Sequence, residues 1–200
     1  MKLKPELMRF LCSDDTLRQS EYLLEELRLF SSDALKRFKL QVGSFLRSEE
    51  TDDWKYGEGE KKDSSYTYKG LNWVRVPPVI GGNIRVELGF QNHRKPFVFP
   101  ESAWVGIWCD LPRSRWEPIM AACSNVFGGD GTESQQQWPI YQNIPDWPDP
   151  YGVKERTSLR GLGPLASGKT AADVTKKLSG LLHALNKLPG IPPKVSAPRR

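Results

Sequence analysis

Residues 84–90 read Ile-Arg-Val-Glu-Leu-Gly-Phe, alternating apolar with polar or small positions. Only an extended strand, whose side chains point to opposite faces with period two, gathers Ile84, Val86, Leu88 and Phe90 on one side and Arg85 and Glu87 on the other. Such a strand cannot stand alone, because its apolar face needs neighbouring strands and a second layer to cover it. Candidate neighbours are present. Residues 65–76 are rich in Tyr, Thr, Trp and Val, residues 103–111 are apolar on both faces as a central strand is, and residues 97–99 suit a short additional strand.

Both flanks carry the helical period instead. Near the C-terminus, Val174, Leu178, Leu181, Leu182, Leu185 and Leu188 form one stripe, with Lys176, Lys177 and Lys187 away from it. At the other end, Leu7, Phe10 and Leu11 share a face of a short helix. Ser13-Asp14-Asp15 then caps a helix over Thr16 to Phe30, and Ser31-Ser32-Asp33 caps another bearing Leu35, Phe38, Val42, Phe45 and Leu46. Ser114 and Glu117 have capping-box spacing ahead of a stripe of Trp116, Ile119, Met120, Cys123, Val126 and Phe127, with Pro118 in the first turn. Polar stretches at 49–65 and 128–137 read as loops, and Pro145, Pro148 and Pro150 with Trp147 and Tyr151 as an irregular crossing. The expectation is an α+β fold with N-terminal helices, a central mostly antiparallel sheet with one packed helix, and a C-terminal amphipathic helix. One domain would span 1–188, made of a helical part at 1–48, a β-rich part at 65–151 and a closing helix at 170–188, followed by a disordered basic tail at 189–200.

With 200 residues, 38% of them hydrophobic, the chain has material for one packed core. It contains no apolar run of the roughly 20 residues that cross a bilayer, so no membrane partner is expected and the cytoplasm is the default address. Cys12, Cys109 and Cys123 lack the paired spacing of zinc sites and read as free thiols in a reducing compartment. Neither a cofactor nor a metal is called for.

The net charge is +5, and its distribution matters more than its size. Residues 151–200 carry ten basic and two acidic side chains, whereas the rest of the chain holds a slight acidic excess. A basic end of this kind suits phosphate or an acidic partner. The candidate contacts are Arg156, Arg160, Lys169, Lys176, Lys177, Lys194, Arg199 and Arg200. Trp73 and Arg75, two apart on one strand, add an aromatic and a cation that could stack on an unpaired base. The same segment contains Gly163-Pro-Leu-Ala-Ser-Gly-Lys-Thr170, a literal match to the phosphate-binding loop pattern. Thr170 and Asp173 also have capping-box spacing with Gly168 before them, and helix capping is the preferred reading. For metal-assisted hydrolysis the best available carboxylate pair is Glu87 with Asp110. His93 and His183 have no serine or cysteine partner that suggests a triad. Among seven tryptophans, at least four are expected to fill the core.

From residue 84 to 188 the order of elements resembles the C-terminal part of bacterial and phage PD-(D/E)XK nuclease-like proteins. The resemblance rests on Val105-Gly106-Ile107-Trp108, a following helix, Trp138-Pro139-Ile140-Tyr141 ahead of Trp147, and the leucine-rich closing helix. It implies nucleic acid as a partner. It does not extend to the catalytic signature, since Glu87-Leu88-Gly89 has glycine in the lysine position and Glu60-Lys61-Lys62 lies in a charged stretch. The expected function is therefore a non-enzymatic binding protein contacting nucleic acid or a nucleic-acid-handling partner. A metal-dependent nuclease and a protein–protein module of inhibitor or immunity type, anchored by exposed tryptophans, are the alternatives.

Overall fold

The computed structural model describes residues 14–62, 67–76, 82–92, 100, 102–128, 132–135, 137–148 and 161–188. A long helix, α1 (Asp14–Ser48), leads into β1 (Trp54–Lys62), β2 (Thr67–Arg75), β3 (Ile84–Asn92) and β4 (Ser102–Cys109). Then come α2 (Trp116–Cys123), β5 (Thr132–Gln135), β6 (Trp138–Asn143), the short α3 (Leu162–Ala166) and α4 (Lys169–Asn186). The strands form one six-stranded sheet in the order β1-β2-β3-β4-β6-β5, every described pair antiparallel. The α+β expectation holds.

The alternation in β3 sets the layers. Val86 lies opposite Trp73 of β2 and Ile107 of β4, and Leu88 opposite Leu71 and Val105, so these side chains share one face. Against that face pack Phe38, Val42 and Leu46 of α1 and Val174, Leu178, Leu181 and Leu185 of α4, all buried in one continuous core. Four of the seven tryptophans, Trp54, Trp73, Trp104 and Trp116, are buried, and the other three are half-buried. Most also tie elements together through their indole N–H, which must find an acceptor when it leaves water. Trp73 donates to the Leu46 carbonyl at 2.7 Å, Trp54 to Asn186 Oδ1 at 2.9 Å, Trp116 to the Leu111 carbonyl at 3.0 Å and Trp147 to the Pro100 carbonyl at 2.8 Å. They act as staples, and none stands free on the surface as an anchor for a partner.

Several boundaries differ from the sequence expectation. The two long N-terminal helices are one, because Ser31 does not cap a new helix: its hydroxyl bonds back to the Leu27 carbonyl at 2.7 Å and the helix runs through it. The stretch 49–65 contains β1, an edge strand whose inward Trp54 and Tyr56 sit among glycines and charges that conceal the pattern. The stretch 128–137 contains β5, a bulged edge strand. Ser114 does not cap α2, which begins after Arg115 without a side-chain cap. The first short helix, the strand at 97–99 and the basic tail lie outside the described residues.

The first half of α1 is unusual. Leu24 and Leu17 precede buried Ser31 by seven and fourteen residues, so they prolong the stripe that carries Phe38 in the core. Yet Leu17, Leu23, Leu24 and Phe30 are all exposed.

Candidate functional site

The basic residues suggested by the sequence divide sharply. Lys169, Lys176 and Lys177 come from the first half of α4 and line one cleft of about 720 Å³, together with Asn125 beyond α2 and Gln142 of β6. Their convergence follows from the helical period: Lys169, Lys176 and Lys177 lie near one another while Val174, Leu178 and Leu181 turn into the core. Lys177 donates to Gln142 Oε1 at 2.5 Å, and partial burial lowers its pKa, opposed by the nearby Asp173 carboxylate. Asp146 and Asp173 share the lining, so three of its five charged side chains are positive. Thr170 lines it too, which brings the N-terminal end of α4 and its partial positive charge to the same place.

Residues 163–170 do not form a phosphate-binding loop. They make up α3, a two-residue turn and the start of α4, and the amides of Leu165, Ser167 and Gly168 are already bonded to the carbonyls of Gly161, Gly163 and Leu165. Amides so engaged cannot cradle phosphate. Nor does Thr170 cap α4. Gly168 takes that place with φ 82°, its carbonyl accepting from the Ala172 amide at 3.0 Å and no side chain completing the cap. Arg156, Arg160, Lys194, Arg199, Arg200 and His93 lie outside the described residues, and His183 is exposed near the end of α4.

Trp73 and Arg75 require correction. Trp73 is fully buried beneath α1, and Arg75 is 5% exposed with its guanidinium 3.3 Å from the Asp53 carboxylate, so neither can meet a base. They lie on the core face because β2 pairs Trp73 with Val86. The pair Glu87 and Asp110 does not converge either. Glu87 lies opposite Gly106, four residues before Asp110, a separation of about 13 Å along the strand direction. Asp110 is exposed and receives hydrogen bonds from the Asn83 amide and side chain, which hold its pKa below the usual range. Among the described residues no three His, Cys, Asp or Glu side chains are placed to hold a metal ion. Cys109 and Cys123 are buried free thiols, and burial raises the pKa of both, that of Cys123 up to about 12, which disfavours the reactive thiolate.

Glu87 differs most from its expectation. It does lie on the second face of the sheet with Arg85, but it is 1% exposed, and among the described residues neither carboxyl oxygen has a hydrogen-bond partner. Burial alone pushes its pKa up to about 8. Glycines make the room: Oε1 occupies the spot where a Cβ on Gly70 would sit, and the Tyr68 hydroxyl crowds the same spot. The Trp104 indole lies across Gly89, with Cε2 2.5 Å from where a Cβ there would be, and the Tyr141 Cβ presses equally close over Gly106. The Tyr68 and Trp104 rings are 6.0 Å apart and tilted by 31°. On β2 the buried Asn72 leaves Oδ1 without a partner among the described residues. The sequence contained the signal for this arrangement, since period two places Gly70, Glu87, Gly89, Trp104 and Gly106 on one face, but it could not show that the face is covered. Searches of the chain against protein-family models, curated proteins and solved structures find no match.

Proposed function

We propose that this chain is a non-enzymatic binding protein whose ligand is nucleic acid, held through the cleft beside α4. The observation that carries the reading is the convergence of Lys169, Lys176 and Lys177 on one cleft with the neutral donors and acceptors Asn125, Thr170 and Gln142. Lysines supply sequence-independent phosphate contacts, and polar side chains of this kind position a backbone. In the chain the basic residues at 154–160 precede α4 and those at 194–200 follow it, and they add to the positive charge of this quarter of the sequence.

Fluorescence polarisation with a labelled single-stranded oligonucleotide, DNA and RNA in turn, tests it across a salt series. Three phosphate contacts give a slope of log affinity against log salt of about −2 to −3, which the triple substitution of Lys169, Lys176 and Lys177 by Ala removes. Binding indifferent to salt, or a slope the triple variant leaves unchanged, rejects the reading.

The exposed stripe of Leu17, Leu23, Leu24 and Phe30 favours a second reading, a protein–protein module that docks along the first half of α1. In that case Leu24→Glu abolishes capture of one stoichiometric protein and leaves oligonucleotide binding intact. Loss of both together argues for misfolding instead.

A further inference from the structure

We propose that Glu87 anchors a covered site on the second face of the sheet for a planar cation with paired N–H donors, a guanidinium in preference to an ammonium, stacked between Tyr68 and Trp104. A buried carboxyl with no partner on either oxygen is costly, and a native fold retains one where a ligand, or the function of the site, supplies the missing donors. Among the described residues, the unmet acceptors of Glu87 are Oε1 and Oε2; Oδ1 of Asn72, opposite it on β2, is unmet too but lies over Gly57 of β1, and one donor on the same face, Nε of Arg85, is also unmet. The two carboxyl oxygens call for a ligand with paired N–H groups. A guanidinium presents two parallel N–H groups at the spacing of a carboxylate and offers a flat face to aromatic rings.

The Tyr68 and Trp104 rings flank that position, their centroids 6.0 Å apart and their planes tilted by 31°. A flat group between two rings needs about 7 Å, roughly 3.5 Å of contact distance on each side, so the half-buried Tyr68 must move outward and level with the indole to admit one. Arg85 already displays the same chemistry next door, its guanidinium centred 4.4 Å from the middle of the Trp108 ring. Among the described residues, the other groups on this face that could influence the carboxyl are the Arg85 guanidinium on β3 itself and the hydroxyls of Tyr68 on β2 and Tyr141 on β6, while β4 presents Ser102, Trp104, Gly106 and Trp108. A divalent metal is a poor alternative, since among the described residues no group of three His, Cys, Asp or Glu side chains could hold one.

Calorimetry of the full chain with methylguanidinium, with acetyl-arginine amide, with methylammonium and with neutral methylurea tests the site. The wild type is expected to bind the two guanidinium probes, methylammonium more weakly and methylurea not at all. Acetyl-arginine amide outbinding methylguanidinium identifies a peptide arginine as the natural source, and the reverse a free guanidine. Because the carboxyl must give up its proton to take a cation, affinity rises with pH until about 8 and then levels, with proton release seen as a dependence of the heat on the buffer. Glu87→Gln keeps the shape and is expected to weaken guanidinium binding about tenfold or more. Equal binding by wild type and Glu87→Gln, equal binding of methylurea, or binding of magnesium in place of guanidinium overturns the proposal. So does binding that appears only in Arg85→Met, which would make Arg85 itself the occupant.

Discussion

Replacing Glu87 by glutamine removes the charge of the buried carboxyl while keeping its size. In the unfolded chain the group ionises near the ordinary glutamate value of 4.5, whereas in the fold burial holds the proton on until about pH 8. Between those two values the unfolded state releases a proton that the native state keeps, so raising the pH favours unfolding. The contribution of Glu87 to stability is intact below about pH 4.5, declines as pH rises towards 8, and changes no further above it. Each tenfold difference in proton affinity is worth about 1.4 kcal/mol, which sets a ceiling of about 5 kcal/mol on the loss across that window. Against a typical domain stability of about 5–15 kcal/mol this is a large effect. Urea unfolding of wild type and Glu87→Gln at mildly acidic, neutral and mildly alkaline pH measures it. The two proteins are expected to agree at about pH 5 and to diverge towards pH 8, with the glutamine variant the more stable by several kcal/mol. Curves that stay parallel across the range would show that Glu87 ionises normally in the fold and would refute the reasoning.

Two further outcomes follow from the packing. Arg75→Met leaves the largely buried Asp53 carboxylate without its partner at 3.3 Å and is expected to cost about 3–5 kcal/mol, with Arg75→Met/Asp53→Asn recovering most of it in the same unfolding assay; a double variant no better than the single one contradicts the pairing. Gly89→Ala forces a methyl group against the Trp104 indole and is expected to cost about 1–3 kcal/mol, whereas Gly163→Ala, on α3 with nothing within 4 Å, is expected to be neutral or slightly stabilising; equal effects at the two positions would mean the indole does not cover Gly89.

The parts of the fold that were legible in the sequence are those in which burial falls on one periodic face. The alternation of Ile84 to Phe90, the run from Ala103 to Cys109 and the leucine stripe of α4 each declare their element, because a helix or strand half in the core must repeat its apolar residues at its own period. Edge strands break that rule. β1 and β5 bury little, so charges and glycines dominate them and they read as loops. Ser31 misled for another reason, since a serine ahead of an apolar stripe caps a helix or bonds back to the previous turn with equal local logic, and only packing against the sheet decides. The site was half legible. The lysines of α4, conspicuous by charge, share a cleft, but Trp73 and Arg75, an aromatic and a cation two apart on a strand, are put in the core by register with Val86. For Glu87 the alternation shows the face but not the burial, because the face pattern of a strand records which residues stand together and not what lies above them.

The three glycines under Glu87, Trp104 and Tyr141 have a consequence for motion. Gly70, Gly89 and Gly106 fall on adjacent strands at the middle of the sheet, where most antiparallel sheets place their stiffest β-branched pairs. Having no side chains, these positions take their packing on this face from the groups resting on them. Whatever lifts Tyr68 or Trp104 loosens β2 against β3 at the same moment, and whatever clamps those rings stiffens the pairing. Amide exchange at Gly70 and Gly89 would thus report on the rings above them, making the backbone an internal gauge of whether the covered face is open or shut.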